Sequence, residues 1–367
     1  MSSTFGSAFR VTTWGESHGR SVGCVLDGCP AGVEIARDEI QKQLDRRRPG
    51  QSKLTTSRGE PDSVEILSGV FEDKTIGTPI GLLVYNKDAD SSKYEEIRNK
   101  PRPGHADYTW KEKFGHYDWR GGGRASARET VGRVAAGAVA QKMLAALGIR
   151  IIAYTTRIGP VTCESPDPSD PELSERIESN PVRTADLAVA DQMAEAIADA
   201  RKDKDSVGGV IEVVATGVPI GLGEPVFEKL DAAIAQAMMS IPATKGVEIG
   251  GGFPVCSLRG SQSNDVWELD DDGEMRTRTN NAGGILGGIS NGMPIVVRIG
   301  FKPVSSIPRS QETVDIAKME AANIEVKGRH DPCVLPRAVP IVESMLALVL
   351  ADHAIIQGIV PRSFAKK

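Results

Sequence analysis

Apolar and polar positions along this chain switch between a two-residue and a helical period, and the switches mark out its elements. Phe9 to Trp14 and the apolar run Val22 to Leu26 predict two strands, joined by the glycine-bracketed turn Gly15-Glu16-Ser17-His18-Gly19. Ala36 to Leu44 predicts an amphipathic helix that proline and glycine stop at Pro49-Gly50. Val64 to Phe71 and Pro79 to Tyr85 predict strands joined by a turn around Asp73-Lys74. An Ala/Val-rich segment predicts a helix from about Ala127 to Gly148, followed by a strand over Arg150 to Thr156. Cys163 to Asn180 is rich in Pro, Asp, Glu and Ser and predicts a surface excursion. Beyond it come an exposed helix over Thr184 to Lys202 and a strongly apolar strand over Val207 to Val218. Val226 to Ser240 predicts a helix with Phe227, Leu230, Ile234, Ala237 and Met238 on its apolar face, and Met293 to Phe301 a strand. Ile341 to Ile356, almost continuously apolar, predicts a buried helix that ends at Gly358.

The chemistry sits between these elements. Arg120-Gly-Gly-Gly-Arg-Ala-Ser-Ala-Arg-Glu-Thr130 combines glycines that allow close backbone approach with Arg120, Arg124 and Arg128 around a predicted helix N-terminus. N–H groups, helix dipole and guanidiniums all favour an anion there, whereas the plain alternative is a glycine loop beside a capped surface helix. Ser126 and Glu129 stand at capping-box spacing. His18 and His105 each follow closely on glycine in a loop with a carboxylate nearby, which reads as functional use rather than core packing, the plain alternative being a turn histidine held by hydrogen bonds. Neither has the company that a metal site would show, so no metal is expected. His116 reads as a structural turn residue. Arg46-Arg47-Arg48, with Lys53 and Arg58 beyond, is a solvated charge run on one reading and a loop that closes over anions on the other. Lys302-Pro303-Val304-Ser305-Ser306 is equally a surface turn or a phosphate holder, and Lys327 to Cys333 places Arg329, His330 and Asp331 in one loop.

Composition narrows the classes. A length of 367 residues and 40% hydrophobic content suit a large soluble domain, and a net charge of -5 argues against a general nucleic-acid binder. Five scattered cysteines without a C-x-x-C pair favour reduced thiols in a cytoplasm. The first residues lack an apolar signal core and no 18-residue apolar run follows, so neither secretion nor a membrane is expected. Gly283 to Gly288 is not G-x-G-x-x-G in a βαβ setting, and neither a Walker lysine motif nor H-R-D is present.

Gly15-Glu-Ser-His-Gly19 with Leu26-Asp-Gly28, Gly123 to Thr130, and Arg329-His-Asp-Pro-Cys333 with Glu343 resemble the three signature segments of the chorismate synthase family. Arg102 to Asp107, Gly246 to Gly250 and Asn281 to Ser290 resemble it too, in the expected order over nearly the whole chain. The resemblance implies an α+β fold in one large domain, residues 1–367, with a layer of helices sandwiched between antiparallel sheets. It implies loss of phosphate and a ring proton from 5-enolpyruvylshikimate 3-phosphate to give chorismate, the last step of the shikimate pathway. Reduced FMN would be needed without net redox change, supplied with electrons by NADPH or by a separate flavin reductase, in a cytoplasmic homotetramer. His18 and His105 would be the acid/base pair, and Asp331 would help to take the ring proton through flavin N5. Arg124, Ala125, Ser126, Pro242, Ala243, Gly287, Lys302, Pro303, Val304, Ser305, Ser306 and Arg329 would line the FMN. Arg47 and Lys53 match positions that take a substrate or nicotinamide-nucleotide phosphate, and Lys53 keeps the charge but not the fork of the arginine often found there. Arg102 and Arg128 are loop cations that could converge on the same anions.

Overall fold

A computed structural model describes residues 3–52, 54–56, 59–88, 94–326 and 330–364. In chain order β1 (Thr4–Phe5), β2 (Arg10–Trp14) and β3 (Ser21–Asp27) lead to α1 (Arg37–Arg47). Then come β4 (Val64–Ile66), β5 (Val70–Phe71), β6 (Lys74–Thr75), β7 (Ile80–Tyr85), α2 (Asp107–Phe114) and α3 (Thr130–Ala145). They are followed by β8 (Arg150–Ile158), β9 (Val161–Thr162), α4 (Leu173–Glu178), α5 (Leu187–Lys202), β10 (Gly209–Thr216), α6 (Leu230–Met239) and β11 (Thr244–Ile249). After α7 (Gly260–Ser263) come the short hairpins β12 (Trp267–Leu269) with β13 (Met275–Thr277), and β14 (Ile285–Leu286) with β15 (Ile289–Ser290). The chain closes with β16 (Ile295–Phe301), β17 (Ser310–Asp315), β18 (Glu320–Glu325) and α8 (Leu335–Ile356).

Among the described residues there are two five-stranded antiparallel sheets, in the orders β1-β2-β3-β7-β4 and β11-β16-β10-β8-β9, beside four two-stranded hairpins. Between the two large sheets lies the expected layer of helices. α3 packs on β2, β3 and β7, α8 packs on β8 and β10, and the two helices pack on each other. Small residues set these distances. A Cβ on Gly132 of α3 would lie 2.8 Å from the Gly23 carbonyl oxygen, and one on Gly137 would lie 2.3 Å from Ser344 Cβ of α8. One apolar core runs through both sheets and the helical layer, which is why so much of α8 is buried. α8 is long and apolar enough to cross a membrane, yet here it is enclosed by protein.

The helix α8 starts at Leu335, earlier than its apolar run suggested, and runs through Pro340. A proline inside a helix leaves the carbonyl four residues back without its N–H partner. That carbonyl belongs to Pro336, and the guanidinium of Arg183 donates to it instead. At the other end of α8, Asp352 accepts the backbone N–H groups of Ser7, Ala8 and Phe9 at 2.6 to 3.0 Å, which fastens the entry to β2 onto the last helix.

Other expectations change in detail. Val64 to Phe71 is two strands, interrupted near Gly69, whose φ is +82°. The helix expected from Val226 begins only at Leu230, so Phe227 is not a core residue but is 91% exposed. Ser126 does accept the Arg128 N–H at 3.2 Å, but Glu129 turns to Arg133 at 2.9 Å instead of closing a capping box. α2 and the β17–β18 hairpin are additions that no apolar period announced, and the hairpin packs Ile324 and Val326 against Ile97.

Candidate active site

A cavity of about 790 Å³ opens where the loops of both sheets meet the N-terminal ends of α3 and α8. That is within the usual range for a ligand pocket, roughly 300–1,000 Å³. Its walls bring together Arg47, Arg102, His105 and Arg128, the segment Arg124-Ala125-Ser126, Pro242 and Ala243, Lys302 to Ser306, and Asp331. Two expected residues stand apart. Gly287 lies in the β14–β15 turn and does not line this cavity, and His18 lies one layer behind it. Lys53 and Arg329 fall outside the described residues.

The glycine run makes the layer between the two histidines. Gly121, Gly122 and Gly123 all have positive φ (+59°, +82° and +53°), which glycine adopts without strain. A Cβ on Gly121 would lie 2.3 Å from His18 Cδ2, and one on Gly122 would lie 3.3 Å from His105 Cε1. The backbone therefore rests directly against both imidazoles. His18 also meets the Tyr94 ring edge-on, with centroids 5.0 Å apart.

His105 is set by its neighbours at the start of α2. Asp107 grips Arg102 through two side-chain bonds of 2.7 and 2.8 Å, and its Oδ1 lies 2.8 Å from His105 Nδ1. Burial pushes the Asp107 carboxyl up, but Arg102 and His105 outweigh it and hold it well below the usual carboxylate range. The shorter contact, to anionic Asp107, favours a proton on Nδ1 and a lone pair on Nε2, while Arg102 Nη2, which can only donate, competes for the same nitrogen at 3.1 Å. Burial, helped by Arg102 and Lys302, holds the His105 pKa below its ordinary value against the pull of Asp107. His105 is thus a neutral base at pH 7. Asp107 was legible only as the carboxylate that closes the Arg102 to Asp107 motif.

The arginines are largely committed to protein partners. Arg124 is committed: it donates to the Gly15 and Thr13 carbonyls, both at 3.1 Å, and to Thr13 Oγ1 at 2.8 Å. The run Arg46 to Arg48 is no solvated face. Arg46 pairs with Glu343 and Glu178, and Arg47 is 1% exposed. Arg47 donates to Asp62 at 3.1 Å, Thr130 at 3.1 Å and the Ala127 carbonyl at 2.6 Å. Arg128 pairs with the other Asp62 oxygen while its Nη2 stays buried and unpartnered. Burial, then Arg337, brings the Arg47 pKa down to about 9, and Asp62 keeps the guanidinium charged at neutral pH. Burial pushes the Asp62 carboxyl up, but Arg47 and Arg128 hold it below the usual range. Asp62 sits at φ +45°, in the connection between α1 and β4.

Lys302 donates to the Gly104 carbonyl at 2.9 Å and to Ser305 Oγ at 2.6 Å, and Ser306 Oγ accepts from Arg102 at 2.9 Å. The hydroxyl-rich turn is therefore part of the cavity wall and locked to the His105 loop. No group of His, Cys, Asp and Glu fit to hold a metal occurs among the described residues.

The family model described as chorismate synthase matches residues 9–355. The chain belongs to the chorismate synthase family. It is 55% identical to chorismate synthase of Methanococcoides burtonii over 99% of both chains. It is 58% identical to that of Chloroflexus aurantiacus, covering 96% of this chain and 95% of the relative. A crystal structure of chorismate synthase superposes with a TM-score of 0.76 at 35% identity, covering 96% of this chain and 93% of the other. Membership makes this chain an enzyme, a carbon–oxygen lyase acting on phosphates.

Proposed function

We propose that the cavity binds 5-enolpyruvylshikimate 3-phosphate beside reduced FMN and removes phosphate and a ring proton by anti-1,4-elimination, giving chorismate. The observation that carries this reading is a neutral histidine base, His105, and a carboxylate, Asp331, in one cavity lined by Arg47, Arg102, Arg128 and Arg337. Cations of that number suit ligands with several phosphates and carboxylates. The chain's residues also fit FMN: the Lys302 to Ser306 turn offers an ammonium and hydroxyls on the wall of a cavity of about 790 Å³. Bound reduced FMN would supply an electron-rich ring beside the departing phosphate.

The protein's part is to hold and move protons. One C–O bond breaks with its electron pair leaving on phosphate, and one C–H bond breaks with its electrons forming the new ring double bond. His105 Nε2 holds a lone pair for a proton, and His18 and the Asp331 carboxylate complete the acid/base set. Arg47 and Arg128, with Lys53, would receive a phosphate of the substrate or of a nicotinamide nucleotide. Substrate and product have equal oxidation level, so reduced FMN is needed but not consumed. Electrons reach it from NADPH or a separate reductase.

We place this enzyme in the cytoplasm as a homotetramer. Phe227 and Phe253, 91% and 72% exposed, support association, since large bare rings favour a protein contact. The test of the reaction is phosphate release in an oxygen-free vessel. Many turnovers per reduced FMN support the reading, and one turnover per flavin would defeat it.

A further inference from the structure

His330 belongs to the same cavity wall, yet neither the acid/base set nor the arginine cluster uses it. It directly precedes Asp331, and Arg102 and His105 are close enough to act on its charge. Its Nε2 is buried and has no hydrogen-bond partner. An unmet polar atom in a residue that lines a ligand cavity is a loss that a bound molecule can recover. Burial, with Arg102 and His105 beside it, brings the imidazole pKa down to about 4, in spite of Asp331. The ring is therefore uncharged throughout the neutral range. A neutral imidazole among guanidiniums is a poor competitor for an anion, which the arginines hold better. It is well suited to a ligand carbonyl, hydroxyl or ring N–H.

We infer that His330 is a ligand-binding residue, hydrogen-bonded through Nε2 to an uncharged polar group of the molecule in the cavity. The inference rests on the proposed reaction, whose two ligands both carry such groups. It also assigns the loop two tasks side by side, with Asp331 for the proton and His330 for position. The contact is to flavin or to substrate, and the two sources are separable by experiment.

Three variants isolate Nε2. His330→Phe keeps a flat ring without polar atoms, His330→Gln places its amide near the Nε2 position, and His330→Asn reaches only the Nδ1 position. Oxidised FMN is titrated by fluorescence quenching without substrate, and the KM for 5-enolpyruvylshikimate 3-phosphate is measured at saturating reduced FMN. We expect His330→Phe to weaken one of these by roughly 5- to 100-fold, with Gln restoring most of the loss and Asn little of it. A change in the FMN titration assigns the contact to flavin, and a change in KM alone assigns it to substrate. Wild-type behaviour of His330→Phe in both assays overturns the inference, as does equal behaviour of Gln and Asn. If the Phe variant does not fold, judged by its circular dichroism, the Gln and Asn comparison decides. A wild-type chain that neither binds FMN nor releases phosphate removes the proposed reaction and this inference with it. A competent wild type beside an unaffected His330→Phe removes this inference alone.

Discussion

Arg337 and Asp331 are joined by an ion pair that ties the loop before α8 to the helix itself. The second Asp331 oxygen accepts the Thr56 N–H at 2.9 Å, and Arg337 Nε donates to the Arg47 carbonyl at 3.0 Å. Arg329, two residues before Asp331, lies outside the described residues; among the described ones the cation paired with Asp331 is Arg337. Asp331→Asn keeps an oxygen for Thr56 but turns an amide, or an uncharged oxygen, toward Arg337. Turnover should fall by roughly 10²–10⁴-fold if the carboxylate takes a proton. Melting temperature should fall as well, because Arg337 is left without its counter-charge beside Arg47 and Arg128. Single-turnover flavin absorbance at saturating substrate checks the first point. Weak binding with an unimpaired chemical step would make Asp331 purely structural.

Asp107→Asn tests how His105 is held. The carboxylate favours the Nδ1–H tautomer and is the main influence that raises the His105 pKa. In the wild type, an NMR titration should place His105 below the ordinary value of about 6.5. In the variant the midpoint should move lower still, and turnover should drop roughly 10²–10⁴-fold as the base loses its orientation. A midpoint that rises would contradict this account.

Asp62 and Asp107 also set an acid limit. Both carboxyls titrate below their unfolded value of about 3.9 in the folded protein, so each adds stability above that pH. The contribution is lost as the pH falls from about 4 through the lower folded values. Asp62→Ala leaves Arg47 and Arg128 buried without their carboxylate and should cost about 3–5 kcal/mol at pH 7. Urea unfolding at pH 7 and at pH 3 measures both effects. The gap between wild type and Asp62→Ala should shrink at the lower pH, and a constant gap would refute the assignment.

Gly121→Ala and Gly122→Ala should differ although they are neighbours. At both positions φ is positive, so both carry the same kind of backbone strain. Only at 121 does the new methyl group run into an imidazole, at 2.3 Å against 3.3 Å at 122. Displacing His18 should remove most activity in Gly121→Ala, and Gly122→Ala should retain far more. Activity at matched folded fraction is the measurement, and equal losses would mean that only strain matters.

Much of this was readable beforehand, and the failures have physical reasons. Long apolar segments such as α8 and β10 were legible because burial dictates their residues. So were the loops that carry His105, Ser126 and Lys302, since glycine, proline and hydroxyl residues mark turns. What escaped depended on partners distant in sequence. Asp62 and Arg47 are 15 residues apart, and Arg128 lies 66 residues from Asp62, so no local pattern links them. The charge of Arg46 resembled a solvated run because its partner, Glu343, is 297 residues away. Phe227 has the spacing of a core residue, but the chain reaches helical geometry only at Leu230.

If Phe227 and Phe253 meet other subunits, Phe227→Glu with Phe253→Glu should shift the particle to a smaller mass by light scattering. Melting temperature measured at equal subunit concentration should fall too. An unchanged mass would mean that these two rings carry no subunit contact.

The bond from Asp352 to Ser7, Ala8 and Phe9 joins residues 343 to 345 positions apart. Ser3, Thr4 and Phe5, just upstream, are part of the cavity wall, and so are Val334, Arg337 and Met345 at the far end of the chain. During synthesis the first strands emerge long before the helix that fastens them. The ribosome must release nearly the entire chain before the pocket has all its sides, so every nascent intermediate is catalytically blind. Fragments that stop short of α8 should remain inactive until that helix is supplied, whether in the same chain or as a separate piece.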